Sequence, residues 1–554
     1  MPMQFAMVGH MKTRFSLINS GLYPETLPPC FVSKDAKRAF HGIVGQLDGE
    51  KYHERKTEYV RYSGTKHDGS RRFFGTPNIV SYFHTSSFIW KNWSKFEHNF
   101  ALSEYSIGKP KLMGEDDERA VKVPSLSELS KHASKNLSYA PFILKADIAQ
   151  CFPSIYTHSI AWAAHGIEQS KSDVTKDSSA NTFNALDFFV RNGQRGNTRG
   201  VLVGPDAYRL IAEFILSKID HELSQAVGAL IVGAVRHVDD YYIGLRTEHE
   251  AQSVLSHLRE VLAIYELNLN DQKTRIFSSL EPINDLWAQR LRDHMHFWSP
   301  TAGHEKYERA ISEAVSAAVE IGSDSPIKIL LRSFDEARVY ENRQWDFVEQ
   351  NIQRIVLKHP HAIDYACLLL AKRKARDREI DVEGWKSVAE IIVQRSLALN
   401  HHHETLWMVW MMIVCDIEIS IQMIEELAKS RNAHVRALLV QAHVDGKLRR
   451  KPKLGLGAPL STVDANWLVN LVARSQGFSK AAFSGLYSDH FDHLAQRGIR
   501  LIDFNDHIEL MKRRDKRAIS RTRYGYDDDE DEDFDGPDID IDELFADIQG
   551  DEEP

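Results

Sequence analysis

The amino-acid sequence predicts an α+β chain: a mixed half of strands and helices, then an all-α half, then an acidic tail. Three observations carry that prediction. Residues 1 to about 285 alternate short β-prone apolar runs with helical stretches, whereas residues from about 300 to 515 place apolar residues at helical spacing almost without a break. The segment Asp527–Pro554 holds 16 acidic residues and no Lys or Arg. At 554 residues, 43% hydrophobic and 10% aromatic, the chain can bury a large core and divide into two or more domains.

Charge and composition narrow the function classes. The tail accounts for −16 of a total of −9, so the remaining chain carries +7. A basic body suits a nucleic-acid partner, because cationic side chains neutralise phosphates and release counterions, although proteins without such a partner are often as basic. No run of residues approaches the roughly 18 to 20 apolar residues of a membrane span, and the N-terminus lacks the apolar core of a signal peptide. The expectation is a cytoplasmic protein with no membrane partner. Cys30, Cys151, Cys367 and Cys415 are scattered, form no CxxC pair, and are expected to be reduced and structural.

In the first half, Phe142 to Asp147 reads as an apolar strand that ends in a carboxylate and turns into a helix. Further on, two β-prone runs flank Asp239 and Asp240, predicting a hairpin with two acids at its tip. Crowded carboxylates are costly unless cations compensate them, and a divalent ion is the natural partner. Taken alone, Asp239 and Asp240 also fit an exposed turn, where Asp is common. A helix with apolar face Ala251, Val254, Leu255, Leu258, Val261, Leu262 and Tyr265 follows.

The second half opens with Tyr307, Ala310, Ile311, Ala314, Val315, Ala318 and Val319 on one predicted helical face. Helices are predicted over 345–358, 361–375, 383–400, 404–415, 417–430 and 432–445, an irregular stack of hairpins with the look of a helical repeat. His401-His402-His403 is read as the surface of a helix start. Lys512 to Arg523 is strongly basic, and the acidic tail beyond it, 524–554, is expected to be disordered because like charges repel and little apolar surface is available. That tail is either a solubilising end or a segment that binds the protein's own basic surface.

Asp147 with its strand, the loop Arg199–Glu213 with Gly200 and Gly204, the Asp239-Asp240 hairpin and Leu267–Thr274 stand in the order of motifs A, B, C and D of reverse transcriptases, which they resemble. The wording Asp-Ile-x-x-x-Phe-Pro-Ser-Ile-Tyr at 147–156 and Arg-x-Val-Asp-Asp-Tyr-Tyr at 236–242 is similar to the prokaryotic abortive-infection group, which belongs to phage defence. The resemblance implies a right-hand polymerase with an N-terminal and fingers region over 1–140, a palm over 141–299 and a helical domain over 300–515. Motif B departs from the family pattern, with Val203 where a Gln is usual and Tyr208 where a Ser is usual, which bears on template use.

By this resemblance Asp147, Asp239 and Asp240, with the Ile148 carbonyl, hold two Mg2+ ions, Mn2+ being an alternative. Lys273 is the candidate proton donor or charge partner for pyrophosphate, or else a solvated lysine. Arg71 and Arg72 are candidates for triphosphate oxygens, unless they simply face water. Gly204 is placed with the nucleotide-binding loop. Phe152, five residues after Asp147, packs where a ribose 2′-hydroxyl would sit and implies deoxynucleotide selection. Implied partners are dNTPs, a DNA product, a noncoding RNA and further copies of the chain in a homo-oligomer. Three readings stay open: a defence DNA polymerase, template-independent and primed from its own tyrosine; a templated reverse transcriptase using a dedicated noncoding RNA; and a palm kept only as a binding or assembly module.

Overall fold

The computed structural model describes residues 12–49, 55–115, 117, 119–122, 126–281, 286–295 and 303–506. The boundary expected near Pro300, the basic stretch Lys512–Arg523 and the acidic tail lie outside the described residues. Among the described residues, no helix is long and apolar enough to cross a membrane, and all four cysteines are buried and unpaired.

The N-terminal part carries an antiparallel hairpin, β1 (Val60–Thr65) and β2 (Arg71–Thr76). A helix α1 (Leu126–Asn136) leads into β3 (Phe142–Asp147), and α2 (Asp206–Val227) returns the chain to a second hairpin, β4 (Gly233–His237) and β5 (Asp240–Leu245). Then α3 (Glu248–Ile264) leads to β6 (Arg275–Ser278). The resulting β-α-β-β-α-β unit forms one antiparallel sheet in the order β4-β5-β3-β6, the split βαβ arrangement in which the first strand lies between the third and fourth.

Strand alternation sorts the sheet's two faces. Leu144 and Ala146 join the main core with α2 and α3, whose predicted apolar face, Ala251 through Tyr265, is buried. Ile143, Val235, Tyr242 and Phe277 form a smaller core with Leu129 and Ala133 of α1 and with Leu137 just after it on the other face. Lys145 and Asp147 share that second face by the two-residue period of a strand.

The second half is mainly helical, with α4 (His304–Ile321), α5 (Ser325–Glu336), α6 (Trp345–Val356), α7 (Ile363–Lys374), α8 (Val382–Leu399), α9 (His402–Val414), α10 (Ile421–Ala428) and α11 (Ala433–Val444). It is not all-α as expected, since Leu460–Ser461 and Phe483–Ser484 pair as two short parallel strands. Val319 departs from the predicted face of α4 and stands 75% exposed, because the buried stripe ends at Ala318, just before the C-cap Gly322. These helices share one continuous core with the sheet half, from Phe15 to Phe504.

The joint between the halves is the β1–β2 hairpin. It packs on α9, which itself packs on α7, α8 and α11. Tyr62 Oη hydrogen-bonds His403 Nδ1 at 2.8 Å, and Thr76 Oγ1 meets His434 Nε2 at 2.9 Å. His361 Nδ1 reaches the Thr65 carbonyl at 2.7 Å, and the Ser63 N–H donates to His402 Nδ1 at 3.1 Å. The run His401–His403 is therefore not a helix-start surface. Asn400, in the left-handed region at φ 55°, turns the chain so that α9 re-enters the core, leaving His403 only 3% exposed. At the far end, residues 501–503 pair with residues 30–32: Val32 N–H donates to Leu501 O (3.2 Å) and Asp503 N–H to Cys30 O (2.8 Å).

The centre of the joint is Glu404. It accepts from Thr65 Oγ1 (2.7 Å) and from Arg71 Nη1 (2.7 Å) and Nη2 (3.2 Å), with its own side chain 3% exposed. Glu404→Ala leaves a half-buried guanidinium unpaired, and the expected loss is about 3 kcal/mol, read as a lower urea midpoint. Glu404→Gln keeps an acceptor and should lose less.

Candidate active site

The site is assembled where three strands end. Beyond Asp147, Ile148 N–H donates to Asp239 O (3.2 Å), tying the two acidic segments together. Asn270 N–H donates to Asp147 O (2.8 Å) and Ala149 N–H to Asn268 O (2.9 Å), which fixes the segment carrying Lys273 against the same strand end. Gln150, at φ 47°, then turns the chain into the short helix Cys151–Ser154. Phe152 on that helix is half-buried, and its carbonyl accepts from Val201 N–H at 2.9 Å.

The β4–β5 turn consists of Val238 and Asp239, closed by the pair His237 and Asp240. Val238 sits at φ 52° and Asp239 is not in the left-handed region, the pattern of a II′-type hairpin that normally has glycine first. A β-branched residue there costs on the order of 1–2 kcal/mol. Arg236 holds it. Its Nη1 donates to Val238 O at 2.8 Å while the guanidinium spans Asp220 (2.8 and 3.0 Å) and Glu213 (2.8 and 3.0 Å) on α2, all fully or almost fully buried. Tyr241, Ser103 and Ser106 hydroxyls donate to the same two acids. Burial opposes the Arg236 charge, but Asp220 and Glu213 more than offset it and keep the group cationic.

Above this platform three carboxylates crowd together. Asp147 and Asp240 are directly opposed across β3 and β5. Burial, and then the charge of Asp147, raise the Asp239 carboxyl above its ordinary range. Burial and the adjacent Asp239 push Asp240 up to about 8. Three cations answer them: Lys273 Nζ is 4.0 Å from Asp147 Oδ2, Arg72 acts on Asp239, and the buried Lys145 acts on Asp240. Lys145 also lies 5.6 Å from the Tyr242 ring centre.

Among the described residues, no group of three His, Cys, Asp or Glu side chains is arranged to hold a metal ion. The acids at the strand ends still fit a hard divalent ion. The donor set is all oxygen, Asp240 Oδ1 is buried without a hydrogen-bond partner, and the mutual repulsion of the three carboxylates is what a dication would relieve.

The remaining sequence candidates divide. Arg72 is brought to the acids, but Arg71 is not: neighbouring strand residues face opposite ways, and Arg71 is spent on Glu404, Ser63 and Thr65. Gly204, at φ 114°, is needed for packing, since a Cβ there would fall 2.7 Å from Pro24, and no nucleotide contact follows from its place. The loop is strapped to β2 by Gly75 N–H donating to Val203 O at 3.1 Å. Tyr208 is 2% exposed and packs on Tyr82, so it faces the core. Arg236, Glu213, Asp220 and Lys145 were not singled out from sequence. A lone arginine inside an apolar strand, and two acids seven residues apart on one face of a helix, were the signals available.

A split βαβ sheet with acids at adjoining strand ends is the arrangement of a polymerase palm. Comparison with known families makes this more specific: residues 89–331 match the model described as Reverse transcriptase (RNA-dependent DNA polymerase), and the chain carries a reverse-transcriptase domain. Among solved structures it is similar to a telomerase from Candida albicans, in complex with a fragment of telomeric RNA, at 11% identity over 68% of each chain and a TM-score of 0.28. A telomerase from Candida tropicalis, in a similar complex, matches at 12% identity over 68% of this chain and 62% of that one, with a TM-score of 0.29. Likeness at that level says nothing about substrate. No curated protein matches the chain.

Arg236→Met leaves Glu213 and Asp220 buried without a counter-charge, and the expected cost is about 3–5 kcal/mol. Adding Glu213→Gln and Asp220→Asn should recover most of it, as measured by chemical denaturation.

Proposed function

We propose that the protein is a DNA polymerase of the reverse-transcriptase type, acting in phage defence of the abortive-infection kind. The observation that carries the polymerase reading is the set Asp147, Asp239 and Asp240 at strand ends, with Lys273 within 4.0 Å of Asp147. The defence reading rests on the wording around Asp147 and Asp239 and on the helical second half.

Asp147 and Asp239, with Asp240 and the Ile148 carbonyl, are the groups that would hold two Mg2+ ions. Such ions, when bound, lower the pKa of an attacking hydroxyl and stabilise the leaving pyrophosphate. Lys273 offers a proton or a charge to that leaving group. Arg72 supplies a cation to triphosphate oxygens from the fingers side. Phe152 occupies space beside the sugar C2′ and excludes a 2′-hydroxyl. Val203 and the inward-facing Tyr208 favour synthesis that does not depend on an ordinary template contact at motif B. The partners that follow are dNTPs and a DNA product, with a homo-oligomeric assembly.

Purified protein incubated with each dNTP in turn, with the product sequenced, tests the polymerase and template readings together. Asp147→Ala and Asp239→Ala should each lower incorporation by at least about a thousandfold while the melting temperature holds or rises, because each removes a repelling charge along with a metal ligand. Full activity in Asp239→Ala protein would sink the reading. Phe152→Ala should admit ribonucleotides while dNTP use persists, measured as the ratio of kcat/KM for dATP and ATP; a wild-type protein that already uses both equally rules out the gate.

A further inference from the structure

We propose that the acidic C-terminal segment docks within its own chain on an exposed basic ridge, Lys447–Lys453, with Asp538–Phe545 as the central contact. The inference concerns binding and stands apart from the polymerase reading.

The ridge is built by alternation. Leu448, Pro452 and Leu454 are buried, which turns Lys447, Arg449, Arg450, Lys451 and Lys453 outward. Three of these cations meet acids that are themselves exposed: Lys447 with Asp416 (2.8 Å), Arg449 with Glu418 (2.7 Å) and Arg450 with Glu425 (2.7 Å). Lys451 Nζ lies 4.4 Å from the Phe478 ring centre, and among the described residues Lys453 has no acidic partner. Arg449 is 70% exposed in its pair, and exposed pairs of this kind hold weakly. A denser polyanion can displace them.

The chain leaves the described structure beside this ridge. Arg500 and Asp503, anchored by the pairing of residues 501–503 with 30–32, act together with Lys447 on the charge of Asp445, which opens the ridge loop. From Asp506 to the first tail acid, Asp527, is 21 residues, a reach of at most about 70 Å. The tail's 16 acids outnumber the seven cations of Lys512–Arg523, so negative charge is left over after any local pairing.

Apolar complementarity selects the contact. Asp538-Ile539-Asp540-Ile541-Asp542-Glu543-Leu544-Phe545 interleaves acids with apolar residues. Glu418 and Glu425, which flank Ile421 at the start of α10, pair with Arg449 and Arg450 of the ridge, and α11 ends at Val444 just before it. Ile421 and Val444 stand there 48% and 41% exposed. Acids on the ridge cations and apolar residues on Ile421 and Val444 would cover both. The same ridge would otherwise be open to a phosphate backbone, so docking makes the tail a competitor of nucleic acid.

Carbodiimide cross-linking of the full chain, read by peptide mass spectrometry, tests the contact. Tail carboxylates should couple to Lys447, Lys451 and Lys453 at about 50 mM salt and not at about 1 M, and only within one chain when isotopically heavy and light protein are mixed. Coupling confined to Lys512 and Lys516, or running between heavy and light copies, overturns the proposal. Binding of a fluorescent single-stranded oligonucleotide is the second readout. Asp538→Asn, Asp540→Asn, Asp542→Asn and Glu543→Gln together should raise affinity about tenfold, and should add nothing once Arg449→Gln and Arg450→Gln are present. An equal gain in both backgrounds places the tail elsewhere and ends the idea.

Discussion

One buried cation underlies the acidic strand-end site of this molecule. Arg236 has no water to lean on, and its charge is tolerable only because Asp220 and Glu213 approach it from α2. Removing charges from water is expensive, and the expense is recovered only when geometry and hydrogen bonding are nearly complete. Here they are nearly complete. The same guanidinium reaches the Val238 carbonyl, so the energy that keeps the triad together also keeps a valine in a conformation glycine would prefer. The turn presenting Asp239 and Asp240 is thus positioned from below, and the acids above it need make no structural bonds of their own.

The helical half contributes to the same site from a distance. The β1–β2 hairpin has too little area to hold its position alone, and it is clamped by α9 and α11 through histidines, Glu404 and a tyrosine. That clamp uses Arg71, while the charge of the neighbouring Arg72 acts on Asp239. The second half is thereby the support of the hairpin that carries Arg72.

What could be read from sequence follows from how local each signal is. The strand ending at Asp147 and the two-acid hairpin declare themselves over a few residues, since apolar alternation and a terminal acid need no distant partner. So do the helices of the second half, whose faces repeat over several turns. The choice between Arg71 and Arg72 could not be read that way. Which side of the hairpin meets the palm depends on Glu404, more than 300 residues away. His401–His403 misled for a related reason: three polar residues look like surface until Leu406 to Ile413 are seen to be buried on every side, which makes α9 a central helix. Gly204 was read only as part of a nucleotide-binding loop, and its tight packing on Pro24 was not legible, because that neighbour lies 180 residues away.

The pairing of residues 30–32 with residues 501–503 bears on how the protein is made. Residues 30–32 are synthesised before their partner, which follows about half a minute to a minute and a half later at about 5–20 residues per second. Until then Cys30 and Phe31 lack this partner, whereas the β1–β2 hairpin can already meet α9 and α11, which are synthesised earlier. Contacts of such long range form slowly. Residues 30–32 therefore stay without this partner until synthesis has passed Asp503.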